Sequence, residues 1–351
     1  MVLEILERVI KRKKEAGPQL SEQKPPSEVF VEIGEARKKG SPVLADYQID
    51  WNLVAIGVTP KHLEKLEPTI RALAKFMEPH NLGILLLVAE KNRQIQDLPE
   101  NVRVVVSGEF TANWLRDCYF PTVDGLIEQP SRKLSSKFTP FILNYASGLN
   151  IESYRKISFL RGGEAMAGGN DVFVGGVLWS LLVNELGIEK TQEFLKNFFK
   201  RERVVAVPWD LIHEEDIPIP CRDLDSYLTV LGEKIILVGK EIDSRRCPKT
   251  YGFLELTTRM LAEGNSFNIY RLPFDARHQR TYNNSLIHGP KKLAFIPQYE
   301  KTDELFLRAA KVYQQVGYQP FPIPFLTSFS QREFGQIRCL TLPLPPSCPE
   351  R

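Results

Sequence analysis

The chain has 351 residues, 43% hydrophobic and 25% charged, an ordinary globular composition that excludes a mostly disordered polymer and a fibrous repeat. Its 46 basic and 43 acidic residues leave a formal charge of +3, so no nucleic-acid partner is expected in the absence of a concentrated basic stripe. The five cysteines (118, 221, 247, 339 and 348) form no Cys-x-x-Cys pair and are odd in number, which points away from a zinc site or a disulfide framework and towards a reducing compartment.

Residues 1–50 read as an N-terminal helix and linker. Val2, Leu3, Leu6, Val9 and Ile10 recur at helical spacing before the basic run Lys11-Arg12-Lys13-Lys14, and Gly17-Pro18 breaks the pattern. Such a helix more often packs on its own domain than on a membrane surface or a partner. Gln23-Lys24-Pro25-Pro26 reads as linker. Charges interrupt the first apolar run, so it does not resemble a secretory signal, and no apolar stretch of about eighteen residues predicts a membrane span. The expectation is a soluble, cytoplasmic protein whose oligomeric state, homo-oligomer included, is open.

From residue 51 to 346 a single domain is expected, with 347–351 as a tail. Val54 to Val58 is a short buried-strand run, Lys61 to Met77 has helical periodicity, and Leu82 to Val88 is apolar enough for another buried strand. Asp171 to Gly175 predicts a strand, Leu178 to Phe199 a helical stretch and Val204 to Val207 a strand. Tyr227 to Gly239 reads as a hairpin turning at Leu231-Gly232-Glu233, followed by a helix near Phe253 to Ala262 and a strand at Phe267 to Tyr270. Ser285 to Gly289 and Leu293 to Pro297 form another hairpin before a helix from Asp303 to Gln315. Units of strand, strand, helix and strand, at roughly 60 residues each, predict a round α/β domain of about five repeats whose strand ends converge on one axis.

Four short stretches carry the polar residues of interest. They are Trp114-Leu115-Arg116-Asp117, Arg161-Gly162-Gly163-Glu164, Cys221-Arg222-Asp223-Leu224-Asp225 and Gly335-Gln336-Ile337-Arg338-Cys339. Each alone is ordinarily structural: a packed aromatic beside an ion pair, a glycine turn, a small buried thiol. Together and in this order they resemble the guanidino-group-modifying enzyme superfamily, in particular its agmatine deiminase and bacterial peptidylarginine deiminase branch. Tyr282-Asn283-Asn284-Ser285-Leu286-Ile287 and Ile296-Pro297-Gln298-Tyr299, with Asp303-Glu304 after them, are similar to that branch's penultimate unit.

The resemblance covers about residues 52 to 345. It implies a five-bladed, pseudo-symmetric α/β propeller of ββαβ units and a small-molecule guanidino substrate. Carboxylates suit a planar cation rich in donors, and Asp117 and Asp225 are the implied clamps, with Glu164, Trp114 and Arg116 also lining the substrate. Cys339 is the implied nucleophile, attacking the guanidinium carbon to form a thiouronium adduct that is hydrolysed in a deiminase or passed to an amine in an amidinotransferase. No phosphate loop or metal-ligand cluster is visible, so no cofactor and no metal are expected.

Three positions depart from the family pattern. Asp223 stands where a histidine shuttles protons, Arg161 where one branch has an acid, and Arg338 where a histidine precedes the cysteine. Asp223 is then either the proton shuttle, its pKa raised from about 4 by Asp225 and Asp117, or a third clamp, with the proton supplied by a histidine elsewhere. The histidines are His62, His80, His213, His278 and His288. A third reading is a guanidino-ligand binding protein that has lost turnover.

Overall fold

The computed structural model describes residues 26–89, 97–107, 115–128, 150–153, 163–207, 217–265, 267–327 and 336–345. The helix expected over Val2 to Ile10 lies outside the described residues, as do Trp114, Gly162, His213, Gly335 and Cys348.

Five sheets are present among the described residues, and four of them repeat one pattern. In the fourth, β10 (Leu228–Val230) pairs antiparallel with β11 (Ile235–Glu241), and β11 pairs parallel with β12 (Asn268–Asp275) through the crossover helix α5 (Pro248–Asn265). A parallel pair needs such a long crossover, whereas the antiparallel pair needs only the turn at 231–234. The fifth repeats this with β14 (Leu286–His288), β15 (Leu293–Gln298), α6 (Glu304–Gln315) and β16 (Gln319–Pro324).

The second sheet comprises β4 (Tyr119–Pro121), β5 (Gly125–Glu128) and β6 (Asn150–Ser153). The third comprises β7 (Ala165–Gly168), β8 (Asp171–Gly175) and β9 (Arg203–Val207). Its crossover is divided into α3 (Gly176–Leu186) and α4 (Ile188–Phe199), although the apolar spacing reads as one helical stretch. Gly187 explains the difference: its φ of 77° is open to glycine and ends the first helix.

The first sheet is assembled from both ends of the chain. β1 (Leu53–Val58) and β2 (Gly83–Ala89) are parallel across α2 (Leu63–Met77), β3 (Val102–Ser107) extends the far edge, and β17 (Thr341–Leu344) pairs antiparallel with β1. The β17 pairing brings the segment carrying Cys339 back beside the start of the domain.

Helices pack between their own sheet and the preceding one. Leu237 and Leu272 of the fourth sheet share a core with Phe306, Ala309 and Tyr313 of α6. Leu66, Ile70 and Leu73 of α2 share one with Phe295 and Ile323 of the last sheet, so the last sheet meets the first. Each such fully buried Leu, Ile or Phe contributes roughly 1.5–3 kcal/mol. Asp303 starts α6 as its N-cap, accepting from Phe306 N at 2.9 Å, and also takes the Tyr282 hydroxyl at 2.9 Å.

Before β1 lies a helix that the sequence reading did not anticipate, α1 (Pro26–Arg37), whose Phe30 meets Phe194 of α4 edge-on at 5.1 Å. The chain then passes the second sheet: Val43 bridges Thr122, Leu44 N donates to Pro121 O at 2.8 Å, and a 3-10 turn forms at Asp46–Gln48. Tyr47 Oη accepts from Gly169 N at 2.9 Å, and the Tyr47 carbonyl presses on Gly289 of the fifth sheet's hairpin so closely that a Cβ there would collide with it. Segment 43–48 therefore touches the second, third and fifth sheets.

Candidate functional site

Cys339 lies on the single helical turn Ile337–Leu340 that leads into β17, and it is buried. Its thiol donates to Asp225 Oδ2 at 3.3 Å and accepts from Asn284 Nδ2 at 3.0 Å. Asn284 Oδ1 in turn accepts from Cys339 N at 3.2 Å, and Asn284 O accepts from Arg338 N at 3.3 Å. One amide thus holds the cysteine by its backbone and its sulfur together.

Asp225 sits on the 3-10 turn Leu224–Ser226 at 1% exposure. Its backbone N donates to Gly163 O at 3.0 Å, tying the second glycine of the Gly-Gly segment to the clamp motif. A Cβ on Gly163 would lie 3.3 Å from Asp225 Oδ1 and 3.4 Å from Oδ2, so the missing side chain leaves the whole carboxylate its space. Oδ1 is buried and has no hydrogen-bond partner among the described residues.

The other oxygen, Oδ2, receives Arg338 Nη1 at 2.8 Å as well as the thiol. Arg338 Nε donates to Asp46 Oδ2 at 2.6 Å, and the Arg116 guanidinium pairs with Asp46 Oδ1. A chain of alternating charge results, Arg116, Asp46, Arg338, Asp225, ending on the thiol. Arg116 and Arg338 are each 4% exposed. A small cavity with room for about one water adjoins Asp46, Arg116 and Arg338.

Electrostatics follow from burial. Desolvation pulls the Asp46 carboxyl upward, but the guanidiniums of Arg116 and Arg338 outweigh it and hold the group below the usual aspartate value. Asp225 is raised: burial dominates, and Arg338 with the Cys339 thiol offsets only part of it. Burial lowers Arg116 to about 10 against the pull of Asp46. Arg338 moves the other way, because Asp46 and Asp225 together outweigh its desolvation.

Of the residues singled out in the sequence, Cys339, Asp225, Gly163 and Arg338 are brought together here. Arg116 is joined to them through Asp46. Asp117 belongs to the 3-10 turn Leu115–Cys118, its side chain lying outside the described set, and Trp114 lies outside it altogether. Glu164 is buried immediately before β7, and its carbonyl accepts from Gly175 N at 2.9 Å. Asp223 is the half-buried residue that opens the turn carrying Asp225; its carbonyl accepts from Ser226 N and Oγ, and its charge reaches Tyr227.

Three histidines are engaged away from the thiol. His288 Nε2 meets Trp51 O at 3.0 Å, His62 Nδ1 meets Thr59 Oγ1 at 3.0 Å, and His278 Nδ1 meets Asp275 Oδ2 at 2.8 Å. Cys118 and Cys221 are packed in apolar clusters, and burial together with Glu241 pushes the Cys221 thiol well up. Among the described residues no group of three or more His, Cys, Asp or Glu is placed to hold a metal ion. No helix among them is long and apolar enough to cross a membrane.

Two members of the site escaped the sequence reading. Asn284 lies in the stretch that resembles the penultimate unit, with no role of its own implied there, and Asp46 falls in the segment read as helix and linker. The Asn-Asn pair beside a strand was a weak signal for the first; the second had none.

The fold defines a class: an α/β protein with the fold of the guanidino-group-modifying enzymes. The agmatine deiminase of C. jejuni is similar at 14% identity, covering 87% of this chain and 95% of that chain, with a TM-score of 0.68. The agmatine deiminase of Enterococcus faecalis is similar at 12% identity, covering 89% and 97%, with a TM-score of 0.66. An amidinotransferase of the saxitoxin biosynthetic pathway from Microseira wollei is similar at 13% identity, covering 88% and 98%, with a TM-score of 0.52. At these identities the likeness is one of fold. No protein-family model and no curated protein matches the chain.

Proposed function

We propose that the protein is a cysteine-dependent deiminase acting on the guanidino group of an arginine derivative or an agmatine-like compound. The observation that carries this reading is the thiol of Cys339 against Asp225, whose second oxygen is buried and unpartnered among the described residues. A planar cation clamped by Asp225 would be held by the same carboxylate that takes the thiol. Five units closed into a propeller over residues 51–346, with 1–50 as an extension and 347–351 as a tail, are the architecture proposed to bring these elements to one axis; the contact of the last sheet with the first supports it. The cysteine usage supports a cytoplasmic setting.

In this reading Cys339 gives up its proton, and the sulfur bonds to the guanidinium carbon. The C–N bond then breaks, ammonia leaves with a proton, and a thiouronium adduct remains. Water adds to the adduct, the C–S bond breaks, and the thiol is restored. One guanidinium and one water become one ureido group and one ammonium ion. Asp223 is the proposed proton carrier, Asp225 and Asp117 the clamps, and Glu164, Trp114 and Arg116 the lining. An amidinotransferase would use the same adduct and an amine in place of water.

One observation favours a second reading, a guanidino-ligand binder without turnover: the Arg338 guanidinium already donates to Asp225. The experiment is incubation with a panel of guanidino compounds, followed by assay of ammonia and ureido product in the protein and in Cys339→Ala. Product that vanishes in the variant supports the deiminase. Product that needs an added amine indicates transfer, and thermal stabilisation by ligand without product indicates the binder.

A further inference from the structure

We infer that Asp46, supplied by the segment that precedes the first strand, is a positioning residue of the guanidino site, holding Arg338 so that Asp225 keeps one oxygen for the substrate. This rests on the reading of Asp225 as the clamp.

The inference starts from the geometry of one guanidinium. Arg338 uses Nε for Asp46 Oδ2 at 2.6 Å and Nη1 for Asp225 Oδ2 at 2.8 Å. A planar fork held by two carboxylates has a fixed plane and a fixed distance to each. Arg338 meets Asp225 through a single oxygen, the one that also takes the thiol, and Oδ1 is left buried without a hydrogen-bond partner among the described residues.

Without the Asp46 carboxylate, the natural relaxation of Arg338 is the two-pronged pairing that arginine favours with a lone carboxylate. Arg338 would then engage both oxygens of Asp225 and leave none for a substrate cation. Asp46 opposes this by anchoring the guanidinium through Nε and so fixing the plane in which Nη1 reaches Asp225.

The placement of Asp46 is built, not incidental. Its neighbours are pinned by the Val43–Thr122 bridge, by Ala45 N donating to Gln48 Oε1 at 3.1 Å, by Tyr47 against Gly289, and by Gly169 donating to the Tyr47 hydroxyl. Its other oxygen is committed to Arg116. The carboxylate thus has a buried cation on each side, and the pair holds its charge at neutral pH because both lower its pKa. A purely structural ion pair would be needed for stability alone; this one is joined through Arg338 to the oxygen that touches the nucleophile.

The test compares labelling of Cys339 by chloroacetamidine, which carries a planar cation, with labelling by neutral iodoacetamide. In both, the sulfur bonds to the methylene carbon, halide leaves and the thiol proton passes to buffer. The ratio of the two rates, mapped to the Cys339 peptide, reads recognition of the cation separately from reactivity of the thiol. The unaltered protein is expected to prefer the amidine. In Asp46→Asn the preference should fall about tenfold to a hundredfold, the loss of one charge-assisted hydrogen bond, and Asp46→Glu should restore a part of it.

Because Asp46→Asn is exposed to misfolding, Arg338→Lys provides an independent reading. It keeps the charge, has no fork to span two acids, and should lose the preference with Asp46 intact. A preference retained in a folded Asp46→Asn or in Arg338→Lys, while Asp225→Asn abolishes it, overturns the positioning role and leaves the clamp reading standing. A preference absent from the unaltered protein overturns the clamp reading and this inference with it.

Discussion

Arg338 and Cys339 are consecutive in sequence, yet both donate to one oxygen, Oδ2 of Asp225, at 2.8 and 3.3 Å. Neighbours on a helical turn diverge by about 100°, so the two side chains share an acceptor only because Asp225 lies in the fork between them. The pairing couples the Cys339 thiol to a buried cation through the carboxylate proposed to orient the substrate.

Removing Arg338 should therefore cost stability as well as activity. Its side chain and that of Asp225 are 5% and 1% exposed. Breaking such a pair from one side strands a buried charge, at roughly 3–5 kcal/mol. Arg338→Met is expected to lose this much in urea denaturation, and Arg338→Met combined with Asp225→Asn to lose less than the sum of the singles. Additivity within about 0.5 kcal/mol would show that the two groups are not coupled.

Acid titration separates the two carboxylates. Asp46 lies below the ordinary value of 3.8, so its contribution to stability is present above that value and is lost as the pH falls through its folded value. The stability gap between the protein and Asp46→Asn should be widest near neutrality and shrink below pH 3.8. Asp225 has the opposite sign. Its folded value is raised, so the linked contribution is fully present below 3.8 and lost as the pH rises through the higher folded value. Pairwise denaturation curves between pH 2 and 7, for the unaltered protein and both Asn variants, check both directions. A gap for Asp46→Asn that widens on acidification would contradict the paired state assigned to it.

How legible all this was in the sequence depends on the kind of signal. The strands at 54–58, 171–175 and 235–241 and the helix at 304–315 announced themselves through apolar runs and 3.6-residue periodicity, because those residues are buried on predictable faces. Asp225 and Cys339 stood out because their short contexts resemble a known order, and Arg338 because it departs from that order. Asp46 was not: a lone acid before a strand has no local pattern, and its partners Arg116 and Arg338 lie 70 and 292 residues away. Helix α1 was missed for a related reason. Its sequence, PSEVFVEIGEAR, opens on Pro and Ser like the linker before it, and packing of Phe30 on Phe194 supports the helix more than intrinsic propensity does.

The seat of segment 43–48 can be tested at Gly289, where an added Cβ would run into the carbonyl of Tyr47. Backbone cannot yield as a flexible side-chain end does, so Gly289→Ala should cost about 1–3 kcal/mol or more, the range for overpacking. Because Tyr47 adjoins Asp46, the damage should extend to the site: amidine labelling of Cys339 is expected to fall with stability. Gly187→Ala is the matched control. It is strained by its φ of 77° but has nothing within 4 Å of a new Cβ, so it should destabilise without changing the labelling ratio. Equal effects of the two changes on that ratio would disconnect the segment from the site.

Asn284 carries the last prediction. Its amide donates to the Cys339 sulfur at 3.0 Å while its carbonyl oxygen accepts from Cys339 N at 3.2 Å. The first contact favours negative charge on sulfur, and the second fixes the backbone from which the sulfur projects. Asn284→Asp keeps the acceptor and replaces the donor by an anion, so it should raise the pH at which Cys339 becomes alkylatable and slow turnover by about 10- to 100-fold, the worth of a hydrogen bond to a charged group. Asn284→Ala loses both contacts and should slow turnover at least as much, but with a smaller rise in that midpoint because no new charge faces the thiolate. A pH profile of iodoacetamide labelling distinguishes the two variants. Coincident profiles for Asn284→Asp and the unaltered protein would mean that the amide does not act on the sulfur's charge, and that its role ends with holding the backbone.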